Sequence, residues 1–178
     1  MVGDSASDNV LGYNGTTPIE LSEMIPFGRA VVSSAVSALV VVDLPFGSYE
    51  VSDDQALTNS IRVMKETGAD AVKLEGAKLS QIRALASSGI PVMGHVGFTP
   101  QSVNTLAGYK VQGRTEQDAA RILQECKDIE AAGAFAVVLE MTRPFSLPSL
   151  PVIAPERLLL GIIWFPSWRR CLRPKILS

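Results

Sequence analysis

Five apolar segments of this chain, residues 1–4, 39–43, 71–75, 91–95 and 135–140, each end on a polar side chain: Asp4, Asp43, Glu75, His95 and Glu140. Apolar runs that do not alternate are strands covered on both faces, and such runs separated by helical patterns make parallel β/α units. In those units the chemistry gathers at the carboxyl ends of the strands. Four carboxylates and the single histidine are therefore expected at one mouth. An acid after a strand can also serve as a helix cap, but five strand ends in register favour a common site.

The helices between these strands are marked by their caps. Thr17, Pro18 and Glu20 combine a hydroxyl cap, a proline at the first helical position and a glutamate at the third, which predicts a helix from there to about Val32. Ser52 opens another that runs to Thr67, where Gly68 can take the left-handed conformation of a C-terminal stop. Leu79 to Ser88, a short turn at Thr99–Pro100, and a segment from Thr115 to Gly133 complete a β-α-β-α-β-α-β-α-α-β order. Gly47, Gly94 and Gly97 read as turn formers, Tyr49 and Glu50 as structural loop residues, and Met64, Met93 and Met141 as core.

Composition excludes several classes of function. The 178 residues carry a formal charge of −2, with no basic stripe interleaved with aromatics, so no nucleic-acid partner is expected. The only cationic cluster, Arg169, Arg170, Arg173 and Lys175, reads as a solvated tail. The longest apolar stretch, residues 158–168, is far shorter than the roughly 20 needed to cross a bilayer, so neither a membrane partner nor a leader peptide is expected and the protein reads as cytoplasmic. Cys126 and Cys171 lack metal or redox spacing and read as free thiols.

An eight-fold barrel takes about 250 residues, and this chain has room for five or six units. After Met141 the register breaks: residues 142–148 are proline-rich and those from Leu158 have no clean period.

The segments Gly3-Asp4-Ser5, Asp43-Leu44-Pro45-Phe46-Gly47-Ser48-Tyr49-Glu50, Val72-Lys73-Leu74-Glu75-Gly76, Gly94-His95-Val96-Gly97-Phe98-Thr99-Pro100-Gln101 and Val138-Leu139-Glu140-Met141 closely resemble ketopantoate hydroxymethyltransferase, the 3-methyl-2-oxobutanoate hydroxymethyltransferase of pantothenate biosynthesis. Residues 108–114 resemble the family's loop near the site, and the likeness covers about residues 2–141. It implies a (β/α)8 TIM-barrel type of α/β fold that binds Mg²⁺ and a 2-oxo acid and works as a homo-oligomer. The family's metal ligands match Asp4, Asp43 and Glu75. The substrate is held by residues matching Asp4, Ser5, Asp43, Lys73 and His95, and the proton acceptor matches Glu140.

Physical chemistry agrees with that assignment. Carboxylate oxygens suit a hard ion such as Mg²⁺, which as a Lewis acid would stabilise the enolate formed when Glu140 removes the proton beside the keto group. A glutamate held where water is scarce becomes a competent base near neutral pH. In the family the one-carbon unit comes from 5,10-methylenetetrahydrofolate as co-substrate, giving 2-dehydropantoate. Lys73, on an apolar strand, needs an anionic partner, either a neighbouring carboxylate or the substrate.

Against the family pattern, the first β/α unit and the closing strands are missing and the residues from Thr142 on show no likeness. The chain is thus expected to comprise a partial barrel, 1–141, and a divergent tail, 142–178, with the sheet edges at residues 1–4 and 135–141 left open, prone to aggregate and with negligible turnover alone. Two other readings stand beside the first: a non-catalytic remnant of that enzyme, and another Mg²⁺-enolate barrel of the phosphoenolpyruvate mutase or isocitrate lyase type. The second is weakened because no cysteine lies at a strand end to act as a lyase acid.

Overall fold

A computed structural model of the chain describes residues 1–102, 113, 115–142, 152–153 and 160–164. Cys171, the basic cluster from Arg169 and residues 108–114 other than Gly113 lie outside them. Four strands, β1 (Val41–Asp43), β2 (Ala71–Lys73), β3 (Val92–Gly97) and β4 (Ala136–Glu140), pair in parallel in chain order. The predicted first strand is reduced to one parallel bridge, Val2 to Val42, because the chain turns at once into the short helix α1 (Ala6–Asn9).

The connecting helices are α2 (Leu21–Ser34), α3 (Asp53–Thr67), α4 (Leu79–Ser87) and α5 (Glu116–Ala131), with a single 3-10 turn at Pro100–Ser102. The Ser52 and Thr115 hydroxyls accept from the amides of Gln55 and Asp118, and Gly68 closes α3 at φ 76°, as the cap patterns predict. Helix α2 begins later than Thr17 and Pro18 suggest. Its reciprocal cap is formed by Glu20 and Glu23 instead, the Glu20 amide donating to Glu23 Oε2 at 2.8 Å. Each helix buries one stripe at helical spacing, such as Ala56, Ser60, Val63 and Thr67 on α3.

Strand alternation decides what faces where. Val40, Val42, Val72, Leu74, Val92, Val96, Val137 and Leu139 join the helices in the larger core. The intervening Val41, Ala71, Met93, Ala136 and Val138 form a second buried cluster on the opposite face. Counting by twos along each strand, Asp43, Lys73, Glu75, His95 and Glu140 continue that second face toward the carboxyl ends. The site thus stands on a floor of apolar side chains.

Beyond β4 the sheet turns antiparallel. The strands β5 (Val152–Ile153) and β6 (Leu160–Trp164) come from the tail, and β6 lies along β4 from Ala136 opposite Trp164 to Glu140 opposite Leu160. The edge at residues 135–141, expected to be open, is therefore hydrogen-bonded by the chain's own tail. With the order β1-β2-β3-β4-β6-β5 the described strands form an open mixed sheet, and no barrel closure occurs among them. Met93 is buried in the second cluster and Met64 packs against the larger core on the other face, whereas Met141 is only half-buried.

Gly94 is a packing residue, not the turn former expected. It lies inside β3, where a Cβ would stand 2.8 Å from Ile129 Cγ2 and 3.2 Å from Cδ1, so α5 approaches the sheet only because nothing is there. Gly94→Ala should cost about 1–3 kcal/mol by overpacking, read as a lower denaturant midpoint at unchanged slope. An unchanged midpoint would mean that α5 is not pressed against β3.

Candidate active site

Backbone pairing brings the acids together. The Val2 amide donates to Val41 O at 2.8 Å and the Asp43 amide to Val2 O at 2.9 Å, which carries the following turn over the end of β1. There the Asp4 amide reaches Asp43 Oδ2 at 3.4 Å. Ser5 stands at the N-terminus of α1 without a capping hydrogen bond of its own, exposed beside this pair.

Across the sheet Asp43 is the register partner of Lys73. The Lys73 ammonium donates to Asp43 Oδ1 and lies 3.7 Å from Glu75 Oε1, with all three side chains buried. The anionic partner that an inward lysine requires is thus supplied by the protein. His95 continues the chain of contacts, with Nδ1 3.3 Å from Glu75 Oε1 and Nε2 3.2 Å from Glu140 Oε2. Neither ring nitrogen is aligned as a hydrogen bond.

Glu140 differs from the rest. Its side chain is 29 % exposed against 2 % for His95, so water reaches the residue expected in a dry setting. The backbone around it is shaped tightly: Gly97 at φ 94° has no room for a Cβ, which would meet Glu140 O at 2.4 Å, and Met141 takes a left-handed φ of 48°. Such conformations hold a side chain in one direction at a local cost.

Electrostatics follow from burial. Desolvation, then repulsion from Asp43, pushes the Asp4 carboxyl up to about 7, against the opposing pull of Lys73 and Gln101. Desolvation also raises Asp43, although Lys73 opposes it. For Glu75 burial is outweighed by His95, Lys73 and the Gln101 amide, which hold its carboxyl below the usual range. Burial works against the charged forms of Lys73 and His95, yet the surrounding carboxylates raise both.

Two residues of the site were not singled out by sequence reasoning. Gln101 donates from Nε2 to Asp4 Oδ2 at 2.8 Å and to Leu44 O at 3.0 Å, and from its backbone to Glu75 Oε2 at 3.0 Å. Tyr49, read as structural, donates its hydroxyl to Gln101 Oε1 at 2.5 Å and accepts from the Glu75 amide at 3.1 Å. The available signal was positional, since both lie in loops that follow strands.

The donor set suits a hard cation. Asp4, Asp43 and Glu75 offer only oxygen, and among the described residues Lys73 is the permanent cation that pairs with Asp43 and Glu75, so the acids outnumber their charge partner. Among the described residues no three of His, Cys, Asp or Glu are drawn together as a ready cluster. Mg²⁺ does not demand one, because it is commonly held by one or two carboxylates with substrate and water completing the octahedron.

Comparison with known proteins adds to this geometry. The family profile described as ketopantoate hydroxymethyltransferase matches residues 1–145. The chain belongs to that family. Similar relatives named 3-methyl-2-oxobutanoate hydroxymethyltransferase include those of Saccharopolyspora erythraea, 58% identical over 143 residues (79% of this chain, 48% of that protein), and Leifsonia xyli, 55% identical over 143 residues (79% and 51%). The Thermobifida fusca protein of that name is 48% identical over 176 residues, covering 92% of this chain and 63% of the relative. That alignment is longer than residues 1–141 can supply. It reaches into the tail, so the expectation of no likeness after Thr142 is corrected. This ketopantoate hydroxymethyltransferase family chain spans about half the length of the curated relatives it matches.

The Asp4 shift has a consequence for stability. The folded Asp4 carboxyl is raised to about 7, whereas an unfolded aspartate titrates near 3.8, so the contribution of Asp4 to the stability of the metal-free protein is fully present below 3.8 and is lost as pH rises through 7. The loss amounts to at most about 4 kcal/mol at 1.36 kcal/mol per pH unit. Asp4→Asn should remove most of that slope and raise the melting temperature at pH 8 without metal. An equal slope in both proteins would show that Asp4 is not the buried acid responsible.

Proposed function

We propose that this chain carries the keto-acid and metal site of a 3-methyl-2-oxobutanoate hydroxymethyltransferase, on a sheet that is part of a (β/α)8 barrel. The observation that carries the reading is the continuous set of contacts from Asp4 and Asp43 through Lys73, Glu75 and His95 to Glu140. The names of the relatives support it.

In this reading Asp4, Asp43 and Glu75 hold Mg²⁺, which when bound supplies Lewis-acid polarisation of the 2-oxo acid. The chain's own groups do the rest. Lys73 has three donors, of which Asp43 takes one, and the others serve the oxygens of the oxo acid together with the exposed Ser5 hydroxyl. His95, buried with neither nitrogen aligned to a partner, offers a hydrogen bond to a substrate or product oxygen. Glu140, within reach of solvent at the mouth, takes the proton from the third carbon of 3-methyl-2-oxobutanoate.

The electron pair left on that carbon is delocalised into the keto group and then forms the new bond to the one-carbon unit of 5,10-methylenetetrahydrofolate. Water supplies the hydroxyl, and 2-dehydropantoate and tetrahydrofolate leave. The reading includes assembly of like subunits in the cytoplasm. Among the described residues no helix is long and apolar enough to cross a membrane.

The test is exchange of the third-carbon proton in deuterated water, followed by NMR with Mg²⁺ and 3-methyl-2-oxobutanoate and without folate. Glu140→Gln should lower the rate by roughly two to four orders of magnitude while the oxo acid still binds. Undiminished exchange would assign the base to another residue.

The metal is tested separately by thermal shift. Mg²⁺ and the oxo acid together should stabilise the fold more than the sum of their separate effects, and Asp43→Ala should abolish the excess. Additive shifts in the unmutated protein would remove the shared site.

A further inference from the structure

Gln101 stands at a point where a neutral donor is needed and a charged one would be harmful. Asp4, Asp43 and Glu75 are 2–4 % exposed and share one lysine, so their mutual repulsion is poorly screened. A fixed amide relieves a carboxylate without competing with a metal for charge. Gln101 reaches two of the three acids at once, engaging Oδ2 of Asp4 with its side chain and Oε2 of Glu75 with its backbone. One oxygen of each is thereby held by Gln101, which leaves Asp4 Oδ1 and Glu75 Oε1 without a bond to it.

The amide is itself held. Its Oε1 accepts from the Tyr49 hydroxyl, its Nε2 also donates to Leu44 O, and Tyr49 is 1 % exposed, so the carboxamide cannot rotate without breaking several bonds. Tyr49 closes the loop of contacts by accepting from the Glu75 amide. The loop after β1, the end of β2 and the 3-10 turn after β3 are thus tied through one carboxamide. Among the described residues neither Gln101 nor Tyr49 bonds Glu140 directly; the link runs only through Glu75 and His95.

We propose that Gln101 and Tyr49 are positioning residues that fix the orientation of Asp4 and Glu75 for a divalent cation, Gln101 acting on the carboxylates and Tyr49 on Gln101. The proposal rests on the function proposed above. It separates the site into a metal-orienting half and a base half, and predicts that damage to the first appears in metal affinity. Residues in this outer role typically govern 10–100-fold in metal affinity.

The test is calorimetric titration of the full chain with Mg²⁺ alone, repeated with Mn²⁺ followed by electron paramagnetic resonance. Gln101→Leu removes the side-chain donors but leaves the backbone bond to Glu75, and should weaken binding about 10–100-fold. Tyr49→Phe should weaken it in the same direction. Because Tyr49 acts partly through the same carboxamide and partly by accepting from the Glu75 amide, the double variant should bind more weakly than Gln101→Leu alone but by less than the sum of the two losses.

A role confined to folding would lower the melting temperature of the metal-free protein and leave Mg²⁺ affinity unchanged in the folded variants, and that result would overturn the proposal. If Gln101→Leu does not fold, Tyr49→Phe decides by the same measure. Additive losses in the double variant would overturn the shared path. Failure of the unmutated chain to bind either ion would instead overturn the metal-site reading, and this proposal with it.

Discussion

Lys73 is the residue on which the rest of the site depends. Burying an ammonium costs several kcal/mol even after relaxation, and strand alternation places this one on a face whose lower layer is wholly apolar. Nearby carboxylates offset that cost, Asp43 directly opposite in the parallel register and Glu75 two residues along the same segment. One lysine cannot serve all the acids around it. Burial, reinforced by the neighbouring Asp43, then raises the Asp4 carboxyl to about 7, so the third acid is relieved by holding its proton and not by the lysine.

From that centre the site extends in two directions with different physical character. Toward Asp4 it is buried and cross-linked by neutral donors, with Gln101 and Tyr49 satisfying carboxylate oxygens and backbone together. Toward Glu140 it is wetter and loosely bonded, the imidazole lying between two carboxylates without alignment to either. A rigid end suits a metal and an oxo acid. An end reached by solvent suits a group that must accept a proton and later release it.

Much of this was legible in the sequence because it is local. Caps at Ser52 and Thr115 and the stop at Gly68 fixed helix ends, since an amide donor and a hydroxyl three residues apart find each other whatever the tertiary surroundings. The placement of Asp43, Glu75, His95 and Glu140 at one end of the sheet followed from parallel strand order. The misreadings are those in which a distant partner decided the matter. Gly94 looked like a turn former until Ile129, brought by α5, showed why a side chain is excluded. The edge at β4 looked open until β6, brought back from the tail, paired along it.

The sequence by itself determined the four parallel strands with the helices between them, the polar groups near their carboxyl ends and the family of the chain, because these depend on periodicity and on contiguous motifs. Only the tertiary structure decided which carboxylate takes the lysine, that a glutamine bridges Asp4 and Glu75, and that β6 runs antiparallel along β4 where an open edge was expected. Those outcomes depend on strand register and on the competition of several groups for one buried charge. Both are set by contacts between residues far apart in the chain, which no local pattern records.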